Sequence, residues 1–200
     1  MPRVQLKMDK ELVSDELIGL RTRLAERYPI GLATIGNALR TDDNVAARVC
    51  DALPPSVLNY ICRYDLGAYT SFLGECLRKH PAAIIIDATE NGTATGAITV
   101  LNMETVLQGA CVLNVSSSHG FSFLDELHFC HQSMPLPNPF FFFGIEAHSV
   151  EWGDKISPEL EEKVPQIAQE LARLILDTVE LVVDKCTVDQ GTVDQCTKPV

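Results

Sequence analysis

The stretch Ala82–Ala88, reading AAIIIDA, limits the fold more than any other part of the chain. Its apolar residues run without alternation, and a strand of that kind must be covered on both faces. The run is also too short for a buried helix. Such a strand belongs in the middle of a sheet with helices packed above and below it.

The neighbouring sequence supplies the rest of that architecture. PIGLATIGN (residues 29–37) reads as a first strand ending in a Gly36-Asn37 turn. A helix capped by Asp42 or Asp43 follows, running to about Leu53 and stopped by Pro54-Pro55. VLNYICRYD (57–65) reads as a second strand, and AYTSFLGECLRKH (68–80) as a helix. After the central strand, TENGTAT (89–95) is too short for a crossover helix, so GAITVLN (96–102) is expected to run antiparallel to its predecessor. VSSSHGFSFLDELHFCHQ (115–132) has a serine-rich start and then apolar residues at helical spacing. PFFFFGIEA (139–147) reads as the last strand, and a long helix enters through Ser157-Pro158.

Alternating strands and helices predict an α/β fold. The expected architecture is a three-layer domain with a mixed, mostly parallel sheet of about five strands and helices on both faces. A chain of 200 residues suits one such domain. Residues 30–184 form its core, residues 1–29 an amphipathic helical extension (Leu12, Leu17, Leu20, Leu24), and residues 185–200 a mobile polar tail.

Charge and cysteine usage narrow the setting. The chain carries 16 Lys and Arg against 27 Asp and Glu, a net charge of −11, and such a field repels phosphate backbones. Nucleic acid is therefore not an expected partner. No apolar run reaches the roughly 18–20 residues of a membrane span, and a cytoplasmic protein is expected. The seven cysteines are odd in number, irregularly spaced and without a CxxC pair, unlike a disulfide framework or a zinc ribbon. Cys62, Cys76 and Cys111 read as small core residues.

In open α/β sheets, ligands gather beyond the carboxyl ends of the parallel strands. That rule collects Asp42 and Asp43 after the first strand, Asp65 at the end of the second, Asp87 at the end of the third and His119 after the fourth. Adjacent strands lie only about 4.8 Å apart, so these side chains are candidates for one shared site. Asp87 carries the strongest signal, because a carboxylate at the end of a buried run is costly without a donor or a cation. Loop amides could satisfy it equally well. Asp42 and Asp43 could both serve the helix start, but a cap needs only one of them. An imidazole beside two carboxylates favours a divalent transition ion over magnesium or calcium. Taken alone, His119 could be a polar cap and Asp65 a turn former; His128 and His131 read as surface or packing residues. Nucleotide-binding and nucleophile-elbow motifs are absent from the sequence.

Four blocks, IGNALRTDDNVAARV, IIIDATENGTATGAITV, SSHGFSFLDEL and FFFFGIEAHSVEWGDKISPELEEKV, occur in an order and spacing that resembles the hydrogenase maturation endopeptidases. The resemblance spans about residues 30–178. It implies a protease that removes a C-terminal extension from the large subunit of a nickel-iron hydrogenase after nickel insertion. The family's metal-binding positions fall on Asp43, Asp87 and His119, and its further strand-end acid, a catalytic candidate, on Asp65. Asn44 and Ala47 stand where the family usually has glycines. The resemblance also implies that the nickel arrives with the precursor and that the precursor is the partner; a monomer is expected. Two rival readings are a metal-dependent amidohydrolase holding its own ion and a non-enzymatic nickel-binding module.

Overall fold

The computed structural model describes residue 19 and residues 29–108 and 123–189. The expected N-terminal helix, Cys111, His119 and the last residues of the tail lie outside them.

Five strands form one sheet: β1 (Ile30–Ile35), β2 (Ile61–Gly67), β3 (Ala83–Thr89), β4 (Ile98–Asn102) and β5 (Phe140–Glu146), in the order β2-β1-β3-β5-β4. The first four in that order are parallel, and β4 is antiparallel to β5. The mixed sheet is as expected, but β4 does not neighbour β3. The more apolar FFFFGI segment takes the place beside β3, where both faces are covered, and leaves the half-buried ITVLN at the edge.

The helices are α1 (Val45–Asp51), α2 (Pro55–Leu58), α3 (Leu73–Leu77), α4 (Met103–Leu107), α5 (Phe123–Ser133), α6 (Pro158–Glu161) and α7 (Val164–Asp189). On one face of the sheet, Ile84, Ile86 and Ala88 pack with Val45, Val49, Ile167, Leu171 and Ile175 of α1 and α7. On the other, Ala83, Ile85 and Phe142 pack with Leu73, Leu77, Met103 and Leu127 of α3, α4 and α5. This alternation along β3 is the period-two geometry of a strand buried between two helical layers.

Several boundaries differ from the sequence reading. Residues 57 and 58 belong to the proline-initiated turn α2, which shortens the second strand at its start. Only Leu73–Leu77 of the segment 68–80 is helical, because Tyr69 and Leu73 close tight backbone turns onto Leu66 and Thr70. The last helix is interrupted between α6 and α7 and then continues to Asp189, into the segment expected to be tail. Cys62 and Cys76 are half-buried, whereas Cys50 and Cys130 are the buried thiols; these four are free.

Candidate functional site

The chain leaves β1 through Gly36, whose φ of +142° few L residues adopt and whose added Cβ would fall 1.8 Å from the Asp43 carbonyl oxygen. Glycine is required there because the returning segment is folded against it. That segment enters a 3-10 helix, Thr41–Asn44, in which Asp42 and Asp43 are fully buried. Asn44, with φ −87° and ψ 4°, continues directly into α1, so the path needs no glycine at that position.

Asp42 does not cap the helix. No side-chain cap bond is made at the start of the 3-10 helix or of α1, and the turn is held by backbone bonds, Thr41 N to Gly153 O, Asp42 N to Ser149 O and Asp43 N to Arg40 O. The Asp42 carboxylate instead accepts from His148 N (2.8 Å), Ser149 N (3.1 Å), Ser157 N (2.6 Å) and Ser157 Oγ (2.9 Å). It ties the segment leaving β5 to the segment leaving β1. Thr41, at φ +23°, adds a bond from its hydroxyl to Ser149 O at 2.6 Å. We call residues 147–157 the strap.

Asp43 turns the other way. Its Oδ2 accepts from Asn37 N at 3.0 Å, across the Gly-Asn turn. Asp87, on β3 beside Gly144 of β5, is 1% exposed. Its Oδ1 accepts from the adjacent Ala88 N at 2.8 Å. Its Oδ2 is buried without a hydrogen-bond partner among the described residues. Burial, and then the charge of Asp43, push the Asp87 carboxyl well above the usual carboxylate range. Two buried acids therefore confront each other at the strand ends, one with an unused oxygen, which is a donor set that suits a cation.

The loop-amide alternative considered for Asp87 describes another acid, Glu146, which sequence reasoning missed. Glu146 ends β5 as Asp87 stands near the end of β3, after an equally apolar run, and that shared pattern was the available signal. It accepts from Thr89 Oγ1 (2.8 Å) and Thr93 N (3.0 Å) and holds the 90–96 loop. Burial raises its pKa, but bonds from the loop amides and Thr89 outweigh that and keep it below the ordinary value. Glu146 is satisfied and Asp87 is not.

Asp65 sits apart from this pair. Its exposed carboxylate accepts from Arg63 Nε and Thr34 Oγ1, both at 2.7 Å, and Arg63 also bonds Asp51. Strand alternation directs Thr34 to the face of Ile30 and Leu32, while Asp87 shares the opposite face with Ile85. Burial raises the Asp65 pKa, yet the Arg63 and Thr34 bonds prevail and lower it. His128 and His131 are exposed on α5, as expected of surface residues. Among the described residues no three His, Cys, Asp or Glu side chains are grouped to hold a metal, and His119 lies outside them. None of the described helices is long and apolar enough to cross a membrane.

Comparison with known proteins gives this geometry a family. A model of the hydrogenase maturation proteases matches residues 57–174. Among solved structures, the chain is similar to the hydrogenase maturating endopeptidase HybD from E. coli, with a TM-score of 0.60, 22% identity and coverage of 74% of this chain and 93% of that one. A second Escherichia coli endopeptidase gives 0.58 at 21% identity, covering 72% and 89%. The [NiFe] hydrogenase maturation protease HycI from Thermococcus kodakarensis KOD1 gives 0.54 at 18%, covering 74% and 92%. Among curated proteins none matches.

Proposed function

The chain belongs to the hydrogenase maturation protease family, and we propose that it removes the C-terminal extension from the nickel-loaded precursor of a nickel-iron hydrogenase large subunit. In this reading Asp43, Asp87 and His119 together recognise the nickel that the precursor carries. The observation that carries it is the buried Asp87 Oδ2, unpartnered among the described residues and facing the field of Asp43. A divalent cation would relieve both the desolvation and the repulsion, and a precursor without its metal would not.

His119 enters this set as the family resemblance assigns it. The end of α5 leads to β5 through Asn138, whose amide bonds Pro81 O near the start of β3. The described start of α5 is therefore directed toward the opposite pole of the sheet, where Asp87 lies.

Recognition does the positioning. Docking the metal-bearing segment against two fixed carboxylates brings one peptide bond to a set place, and such alignment can contribute several kcal/mol toward the barrier. When docked, the nickel carried by the precursor would supply Lewis-acid polarisation of the scissile carbonyl or of a water. Asp65, bonded to Arg63 and Thr34, is read here as a support for the end of β2. The free thiols at Cys50, Cys62, Cys76 and Cys130 suit a reducing, cytoplasmic setting.

The test is the intact mass of the hydrogenase large subunit from cells with and without this gene. Retention of the C-terminal extension only in the deletion supports the reading. Equal masses in both refute it.

A further inference from the structure

Of the large apolar side chains exposed among the described residues, four leave the sheet at its carboxyl pole: Leu39 (60%), Tyr69 (81%), Phe72 (67%) and Trp152 (76%). Single exposed apolar residues are ordinary, but three of the four exposed aromatics among the described residues share the pole that carries Asp43 and Asp87; Phe129 on α5 is the fourth.

Backbone pairing places these residues in two arms. In one, Leu39 O accepts from Gly153 N at 2.9 Å, which sets the Leu39 segment beside Trp152. The Arg40 guanidinium lies 5.7 Å from the Trp152 ring centroid, and its Nε donates to Val150 O at 2.9 Å, so the indole is held in advance of any partner. In the other arm, Gly36 N bonds Gly67 O at 3.0 Å, and turns closed by Tyr69 N to Leu66 O and Leu73 N to Thr70 O fix the Tyr69–Phe72 segment. Asn37, whose amide holds Asp43 Oδ2, lies in the chain between the two pairings.

We propose that Leu39, Trp152, Tyr69 and Phe72 form the docking rim for the precursor polypeptide, gripping apolar side chains that flank its metal-bearing segment. The inference rests on the protease reading. A protein-cutting enzyme must lay a polypeptide across the pole where its acids converge, and contacts remote from the cut are what fix that segment. Rigid aromatics lose little entropy on binding and are the side chains that most often dominate interfaces.

Steady-state trimming of the full-length, nickel-loaded precursor is measured with wild type, Trp152→Ala, the Tyr69→Ala/Phe72→Ala pair and Phe129→Ala, alongside thermal melting and sedimentation. Trp152→Ala and the Tyr69/Phe72 pair should each raise KM about 10-fold, with kcat within about 2-fold and an unchanged Tm. Phe129→Ala should behave as wild type. Unchanged KM in the rim variants while wild type trims overturns the rim and leaves the protease reading standing. A loss confined to kcat, or self-association abolished by the rim variants without a KM change, likewise overturns it. If wild type neither binds nor trims the precursor, the protease reading and the rim fall together.

Discussion

Replacing Asp87 by asparagine should make the protein more stable and less active. Asp87 is fully buried, and its pKa is raised first by desolvation and then by the Asp43 charge. A carboxyl with a raised folded pKa binds its proton more tightly in the native state than in the unfolded one. Its contribution to stability is thus complete below the unfolded pKa of about 3.9 and is lost as pH rises toward the folded value, at about 1.4 kcal/mol per pH unit. The loss therefore grows with every pH unit between the unfolded and the folded value. Asparagine has no such dependence. Its oxygen can keep the Ala88 N bond and its amide can point to Asp43, so the variant escapes that loss, and each 1 kcal/mol recovered raises Tm by about 2–4 °C for a domain of this size. Thermal melts of both proteins from pH 4 to 8 check this. The Tm difference should open with rising pH while nickel-dependent trimming is lost. A variant that melts lower than wild type at pH 7, or a difference independent of pH, would refute the electrostatic argument.

Other substitutions probe the supports. Asp42→Ala removes the acceptor of four hydrogen bonds and should cost about 3 kcal/mol, with protease sensitivity appearing between residues 148 and 157 in limited digestion. Gly36→Ala should lower the yield of folded protein and remove trimming activity, since its methyl group would overlap the Asp43 carbonyl; circular dichroism and activity together report it. Asp65→Asn breaks a largely exposed pair and should cost less than about 1 kcal/mol, with trimming within about 10-fold of wild type. A loss of about 10²–10⁴ would instead mark Asp65 as a general base. Glu146→Gln should weaken the 90–96 loop, seen as faster amide exchange there. The stability Glu146 supplies through its lowered pKa is present above about pH 4.3 and is lost as pH falls below that value.

Local pattern made the layered sheet and Asp87 legible, because an unalternating run such as AIII can only be a strand covered on both faces, and an acid at its end has few ways to be satisfied. The insertion of β5 between β3 and β4 was not legible. Direction follows from a short connection, but neighbour choice depends on which of two apolar segments gains more by being covered on both sides. Asp42 was misread for a related reason. Its donors lie 106 to 115 residues away, and nothing near it in the sequence reveals that they, and not the helix amides, surround it. Glu146 and Asp87 share one sequence pattern but differ in partners, a difference created by the 90–96 loop folding back on one of them.

The most direct test is the intact mass of purified, nickel-loaded large-subunit precursor after incubation with wild type or with Asp43→Ala, Asp87→Ala and His119→Ala protein, each verified as folded. The account predicts loss of the C-terminal extension with wild type, and an unchanged mass with each variant and with nickel-free precursor. Full trimming by all three variants would contradict it.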